Sequence, residues 1–349
     1  MKLRRQLQLI ILGFLVALLT SCAGKPQTQS QQANDATSPY PSRGSLEPKQ
    51  EKFWDHVQAE GKIEVLASGF EWSEGPLWLP TESRLVFSDV PQNRVYSWKE
   101  GETEATVWLE PSGYTGDTPR GGEPGSNGLA LSTKGGLLLC QHGDRRVAAM
   151  LGSPENPAAE FVSIAETYEG KRFNSPNDLC VDSGGQVFFT DPPYGLIGQM
   201  ESPDKEIDFQ GVYRVDETAV VHLVTDTLTR PNGIALSPDG RTLYVANSDP
   251  GKAMWVAYSL DEKGNPTGLK WQIDATPLVG RDNPGLPDGL KVKSDGTIYA
   301  TGPGGVWVIS PEGEHLGTIR TGLPTANCAL GPGYLYMTAD SLLLRVPIS

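Results

Sequence analysis

The stretch Asn232-Gly233-Ile234-Ala235-Leu236-Ser237-Pro238-Asp239-Gly240-Arg241-Thr242-Leu243-Tyr244-Val245-Ala246 decides the fold. Two short apolar runs flank a turn whose Asp-Gly step supplies the positive φ that a tight hairpin requires. The reading is strand, turn, strand. The same pattern recurs along the chain. Units open at Glu74-Gly75-Pro76-Leu77-Trp78, Asn127-Gly128-Leu129-Ala130-Leu131, Asn177-Asp178-Leu179-Cys180-Val181, Asp288-Gly289-Leu290-Lys291-Val292 and Asn327-Cys328-Ala329-Leu330. Their turns match as well: Lys134-Gly135-Gly136, Ser183-Gly184-Gly185 and Ser294-Asp295-Gly296. Second strands read at 136–140, 186–190, 242–246 and 297–300, and third strands at 94–98, 211–215, 253–259 and 305–309.

Successive openings lie 53, 50, 55, 56 and 39 residues apart. Sheet-forming repeats of about this length signal a β-propeller. The pattern predicts an all-β fold: a six-bladed β-propeller with four-stranded antiparallel blades. The last unit has room for only three strands, ending at 342–347. Residues 62–70 would supply its fourth. Both ends of the chain then share one blade, and the ring has no free edge.

Composition agrees. Glycine (40) and proline (28) make up about a fifth of the 349 residues, against about 12% in average usage. Glycine shows no every-third-residue period, which excludes collagen. So much Gly and Pro suits many tight turns better than helices. The 29 basic residues are outnumbered by 42 acidic ones, a net charge of −13. Nucleic-acid binding needs clustered Lys and Arg, so it is excluded as a function. Cations are favoured as partners wherever the carboxylates converge.

The N-terminus reads as an address. Lys2, Arg4 and Arg5 precede an apolar run at 9–19, and Leu19-Thr20-Ser21-Cys22 resembles a bacterial lipobox. The expected organisation is a signal peptide at 1–21, a lipidated Cys22 with a disordered tether at 22–60, and the propeller at 61–349. The expected location is the bacterial cell envelope, with the Cys22 lipid as the only membrane contact. Cys140, Cys180 and Cys328 are an odd number of widely spaced thiols. They read as buried structural cysteines, not a disulfide framework.

Strand alternation assigns the functional face. If the first strand of each blade lines the central channel, the six openers share one end with the loops that follow the second strands. Glu74, Asn127, Asn177, Asn232, Asp288 and Asn327 all carry side-chain oxygen, and none is basic. Around one axis they would form a ring of hard ligands suited to a divalent cation, Ca²⁺ first. Two long loops, 110–126 and 191–210, open on this face, as binding loops or lids do. Gln141-His142-Gly143-Asp144-Arg145 places His142 and Arg145 near the channel mouth, His142 to polarise or hydrogen-bond a substrate. His56, His222 and His315 invite no chemistry. There is no G-x-S-x-G, H-E-x-x-H, Walker A or G-x-G-x-x-G motif, so serine-nucleophile, helical zinc-protease and nucleotide mechanisms have no support.

The strings Glu74-Gly75-Pro76-Leu77-Trp78, Ser175-Pro176-Asn177-Asp178, Arg230-Pro231-Asn232-Gly233 and Pro287-Asp288-Gly289 resemble the regucalcin/gluconolactonase family over about residues 60–345. Gln141-His142-Gly143-Asp144 and Thr190-Asp191-Pro192-Pro193-Tyr194-Gly195 resemble its bacterial gluconolactonase branch. The resemblance implies a six-bladed propeller that hydrolyses lactones with a divalent metal in the channel, with Zn²⁺, Mn²⁺ and Mg²⁺ as alternatives to Ca²⁺. It implies Glu74, Asn232 and Asp288 as metal ligands, with Asn177 contacting metal or substrate, and Asp288 as the base for water. The animal branch carries an arginine two places before the position of Asn177, where this chain has Ser175. His142, Arg145, Tyr194 and Asp191 are then the candidates for binding substrate. The expected activity is metal-assisted hydrolysis of glucono-1,5-lactone or a related sugar lactone. Two other readings stay open: a non-catalytic, metal-stabilised envelope scaffold, and a paraoxonase-like esterase with another substrate.

Overall fold

The computed structural model describes residues 38–349, and Pro39–Ser349 form one compact unit. The signal peptide, Cys22 and the first part of the tether lie outside the described residues.

Six antiparallel sheets follow one another along the chain. Blade 1 runs Ser73–Leu79, Arg84–Asp89, Arg94–Lys99 and Thr106–Leu109 from the axis outward. Blades 2, 3, 4 and 5 begin at Ser126–Leu131, Leu179–Val181, Pro231–Leu236 and Leu290–Val292. Blade 6 begins at Thr325–Gly331 and continues through Tyr334–Ala339 and Leu342–Pro347. Its fourth strand is Ile63–Ser68 from the other end of the chain, with Arg345 opposite Glu64. The ring closes as the repeat count predicts.

Arg345 consolidates this closure. Its guanidinium is buried and lies 2.6 Å from a Glu64 oxygen, and it also reaches Glu100 of blade 1. The Tyr334 ring covers it at 4.1 Å. A buried cation is tolerated only when paired in this way. Between blades the core is apolar and aromatic. Trp98, Phe87 and Tyr336 pack between blades 6 and 1, and Trp255 and Trp307 between blades 4 and 5.

The tether expectation fails for residues 40–60. Ser45–Pro48 adds a fifth strand to blade 5, pairing Leu46 with Ile319. Ser42–Arg43 adds one to blade 6 beside Ile63–Ser68. A short 3-10 turn, Glu51–Asp55, then drops Phe53 into the core with no exposed surface. The Gln/Ser/Pro-rich average over this segment hides Tyr40, Leu46, Phe53, Trp54 and Val57, which anchor it. These extra strands also cover the outer edges of two blades. Phe53→Ala is expected to destabilise the protein by about 3–5 kcal/mol in urea unfolding, the cost of emptying a filled aromatic site. A tether residue would change nothing.

Candidate functional site

The glycine after four of the six openers, Glu74, Asn127, Asn232 and Asp288, lets the first strands crowd the axis. Gly75 has φ +49°, and a Cβ there would stand 1.9 Å from the Asn127 carbonyl oxygen of the next blade. At Gly233 a Cβ would meet the Asp288 carbonyl oxygen at 2.1 Å. Hydroxyls at the ends of second strands hold the neighbouring blade. Ser88 Oγ donates to Asn127 O at 2.8 Å, Thr190 Oγ1 to Asn232 O at 2.6 Å and Thr301 Oγ1 to Ala326 O at 3.0 Å. The openers are therefore fixed by their backbones, and five of the six side chains line one space.

That space is a cavity of about 740 Å³ at the axis. Glu74, Asn127, Asn177, Asn232 and Asp288 all line it. Glu74 is 2% exposed; its Oε2 accepts the Gly75 N–H at 3.1 Å, and the Asn327 side chain also hydrogen-bonds its carboxylate. Burial, reinforced by the charges of Asp178 and Glu123, pushes its carboxyl from 4.5 up to about 8. Asp288 is half-buried and borders the cavity; burial, then Glu74, Asp178 and Glu123, push it well above the ordinary carboxylate range. Asp288 Oδ1, Asn127 Oδ1 and Asn177 Oδ1 are buried without a hydrogen-bond partner. Asn232 turns its amide nitrogen to Ser248 Oγ at 3.4 Å.

Two repelling carboxylates beside unpartnered amide oxygens fit a hard cation. Sulfur and imidazole, the donors typical of zinc, do not line the cavity. Among the described residues no three His, Cys, Asp or Glu side chains converge as a ligand group, so amide oxygens must complete the set.

The sixth opener departs from the expected ring. Asn327 does not line the cavity: its side chain touches the Glu74 carboxylate, its amide nitrogen stands 3.4 Å from Asp178 Oδ2 and its Oδ1 accepts from Lys291 Nζ at 3.3 Å. Asp178 is 1% exposed and stands 3.8 Å from the same ammonium. The step Asn177-Asp178 thus sends one side chain to the cavity and the next to this ion pair in the channel. Sequence reading did not single out Asp178 or Lys291.

The residues expected to bind substrate separate. Tyr194 lines the cavity. Burial and the Asp288 carboxylate raise its hydroxyl, against the pull of Arg230. His142 is fully buried behind the wall, its Nε2 3.4 Å from the Asn177 amide nitrogen. The Glu123 carboxylate stands 3.2 Å from its Nδ1 without hydrogen-bond geometry. Arg145 and Asp191 do not reach the cavity. Arg145 donates to Phe173 O at 2.7 Å and lies 3.7 Å from Glu206. Asp191 accepts the N–H groups of Asn174 and Ser175, both at 2.8 Å, and so shapes the turn that presents Asn177. Its carboxyl is pushed up to about 7 by burial. Ser175 Oγ donates to Pro192 O at 2.6 Å and accepts Gly195 N–H at 2.9 Å, which holds the Tyr194 loop.

The cavity also contains Glu123, Gln199, Arg230, Ser248 and Arg281, which sequence reading did not select. Glu123 comes from the first long loop. Asn93 Oδ1 organises that loop by accepting three successive N–H groups, from Ser112, Gly113 and Tyr114. Arg120 ties it to the Gly143 carbonyl at 2.7 Å and to that of Gly195. No spacing rule could have placed Glu123. Arg230 directly precedes the Pro231-Asn232-Gly233 motif, and that adjacency was the available signal.

Comparison with known proteins gives relatives of the whole propeller domain. The sequence profile described as "SMP-30/Gluconolactonase/LRE-like region" matches residues 72–341. A gluconolactonase of Zymomonas mobilis is 39% identical over 293 residues, covering 81% of this chain and 80% of that protein. The lactonohydrolase oryL of Aspergillus oryzae is 31% identical, covering 73% of this chain and 62% of that protein. A solved gluconolactonase from Xanthomonas campestris superposes with a TM-score of 0.72 at 27% identity, covering 90% of this chain and 99% of that one.

The buried carboxyls set a pH dependence. A carboxyl raised in the folded state contributes stability below its unfolded value, and this is lost as pH rises through the folded value. For Glu74 the window runs from about 4.5 to about 8. With chelator present, the thermal midpoint should fall across that window, and Glu74→Gln should flatten the part that extends to pH 8. An unchanged slope in the variant would place the cost elsewhere.

Proposed function

Because the chain belongs to the SMP-30/gluconolactonase/LRE-like family, we propose that it hydrolyses a lactone in the axial cavity with the help of a divalent cation. The observation that carries this reading is the meeting of Glu74 and Asp288 with unpartnered amide oxygens on one cavity wall. The names of the relatives support the reaction class.

Glu74, Asn177, Asn232 and Asp288 would hold the cation, and their oxygen-only character favours calcium. Bound there, it would supply Lewis-acid polarisation of the lactone carbonyl and positive charge for the developing oxyanion. The chain's own groups do the rest. Asp288 Oδ1, free of other hydrogen bonds and bordering the cavity, accepts a proton from the attacking water. As the ring C–O bond breaks, that proton passes to the leaving oxygen and a hydroxy acid is released. Glu123 and Tyr194 border the same space. Behind them, His142 and Asp191 hold the elements that carry Asn177.

We also place the mature protein at the bacterial cell envelope, anchored through a lipid on Cys22. Lys2, Arg4, Arg5, the apolar run at 9–19 and the Leu19-Thr20-Ser21-Cys22 string support this. Cys22→Ser should abolish incorporation of labelled palmitate and release the protein from membranes.

Acid release from glucono-1,5-lactone, followed in a pH-stat above the spontaneous rate, tests the activity. Chelator and Asp288→Ala should each lower the rate about 100-fold or more, the scale of losing a positioned base or an oxyanion stabiliser. A folded protein that opens no lactone, with cation present, would instead be a scaffold.

A further inference from the structure

The chain has more acid than base, and nearly every described arginine has found an oxygen partner. Arg345 pairs with Glu64, Arg146 with Asp144, Arg94 with Glu110 and Arg320 with Glu47. The rest anchor their guanidinium groups on carbonyl, hydroxyl, amide or carboxylate oxygens elsewhere in the fold. Arg230 and Arg281 are the two exceptions. The guanidinium of each forms no hydrogen bond or ion pair with a described residue, and both side chains line the axial cavity.

The two positions are built differently. Arg230 is half-buried at the entry to blade 4, just before Pro231–Leu236. Its backbone N–H is held by Asn247 Oδ1 at 2.7 Å, which fixes where the side chain starts. Its charge is felt at the Tyr194 hydroxyl. Arg281 is exposed on the connection from blade 4 to blade 5, within the isolated bridge between Gly280 and Asn283. The Asp249 carboxylate feels the Arg230 charge without pairing with it in an ion-pair contact, so the planar donor fork of Arg230 keeps its hydrogen-bonding capacity for carboxylate or phosphate oxygens. Glu74 opens blade 1 and Glu123 enters the cavity from the connection into blade 2, whereas Arg230 and Arg281 enter from blade 4 and the connection into blade 5, the side that also carries Asp288.

We propose that Arg230 and Arg281 form an anion subsite, and that the preferred substrate is a lactone bearing a second, negatively charged group, a carboxylate or a phosphate. The inference rests on the lactonase reading and deepens it. The axial carboxylates and amides take the lactone end, and the two arginines take the anionic end. The subsite supplies recognition in place of the arginine that the animal branch carries where Ser175 stands here. Ser175 itself is committed to the Pro192 carbonyl and the Gly195 N–H.

The test compares kcat/KM for D-glucono-1,5-lactone, D-glucaro-1,4-lactone and 6-phospho-D-glucono-1,5-lactone. At least one charged lactone should exceed the neutral one by roughly tenfold or more, the worth of one or two charge-assisted hydrogen bonds. The larger of the two charged ratios identifies the anion. In the Arg230→Gln/Arg281→Gln double variant the ratio should collapse towards one, chiefly through KM, while Arg230→Lys keeps part of it. Calorimetry with D-glucarate against D-gluconate reads binding without turnover, and the glucarate preference should vanish in the double variant. Charged-to-neutral ratios equal in wild type and double variant overturn the inference and leave the lactonase reading standing. Arginine-dependent glucarate binding without hydrolysis of any lactone keeps the anion subsite and overturns the lactonase reading instead.

Discussion

Close approach of the first strands at the axis is the constraint on which the rest of the molecule depends. Gly75 and Gly233 leave no room for a Cβ against the next blade's carbonyl oxygens. Hydroxyls such as Thr190 Oγ1 then fasten one blade to the opener of the next. With the backbones this near, the opener side chains have no other element to pack against. Five of the six share one cavity, and the polarity they carry is concentrated there. In most of the protein a polar group finds a neighbour; at the axis, Asn127, Asn177 and Asp288 keep oxygens that none of their neighbours satisfies.

The electrostatics follow from that enclosure. Burial is the largest influence on both Glu74 and Asp288, and mutual repulsion adds to it. Asp178 belongs to the same field, but Lys291 and Asn327 engage it from below. The channel therefore has two levels. The lower one is neutralised internally by an ammonium. In the upper one, burial disfavours ionisation of Glu74 and Asp288, and a bound cation would favour it, so positive charge and the carboxylates are coupled there.

The sequence carries the parts of this design that repeat. The openers, hairpin turns and second strands recur at 39 to 56 residues, so the blade count and the ring closure through 62–70 could be read directly. Five of the six openers line one cavity for the same reason. What does not repeat was harder to read. The strand Ser45–Pro48 belongs to no unit, and its composition resembles a linker. Glu123 depends on a loop path set by Asn93 and Arg120. Asp191 and Arg145 sit beside legible motifs, yet their side chains turn to backbone groups that one-dimensional spacing cannot locate.

Chemistry and selectivity consequently sit on different parts of the scaffold. The carboxylates and amides at the axis are fixed by strands that cannot move without opening the ring. The outer wall is built from residues entering or joining blades: Glu123 and Gln199 on long loops, Arg281 on the blade 4 to blade 5 connection, and Arg230 at a strand threshold. Connections tolerate substitution better than closely packed strands do. A change of substrate is therefore most accessible through this wall, with the axial donors left intact. The Ser175 position shows where such a change is constrained. Once its hydroxyl is used to hold the Tyr194 loop, a larger side chain can no longer be placed there without releasing that loop.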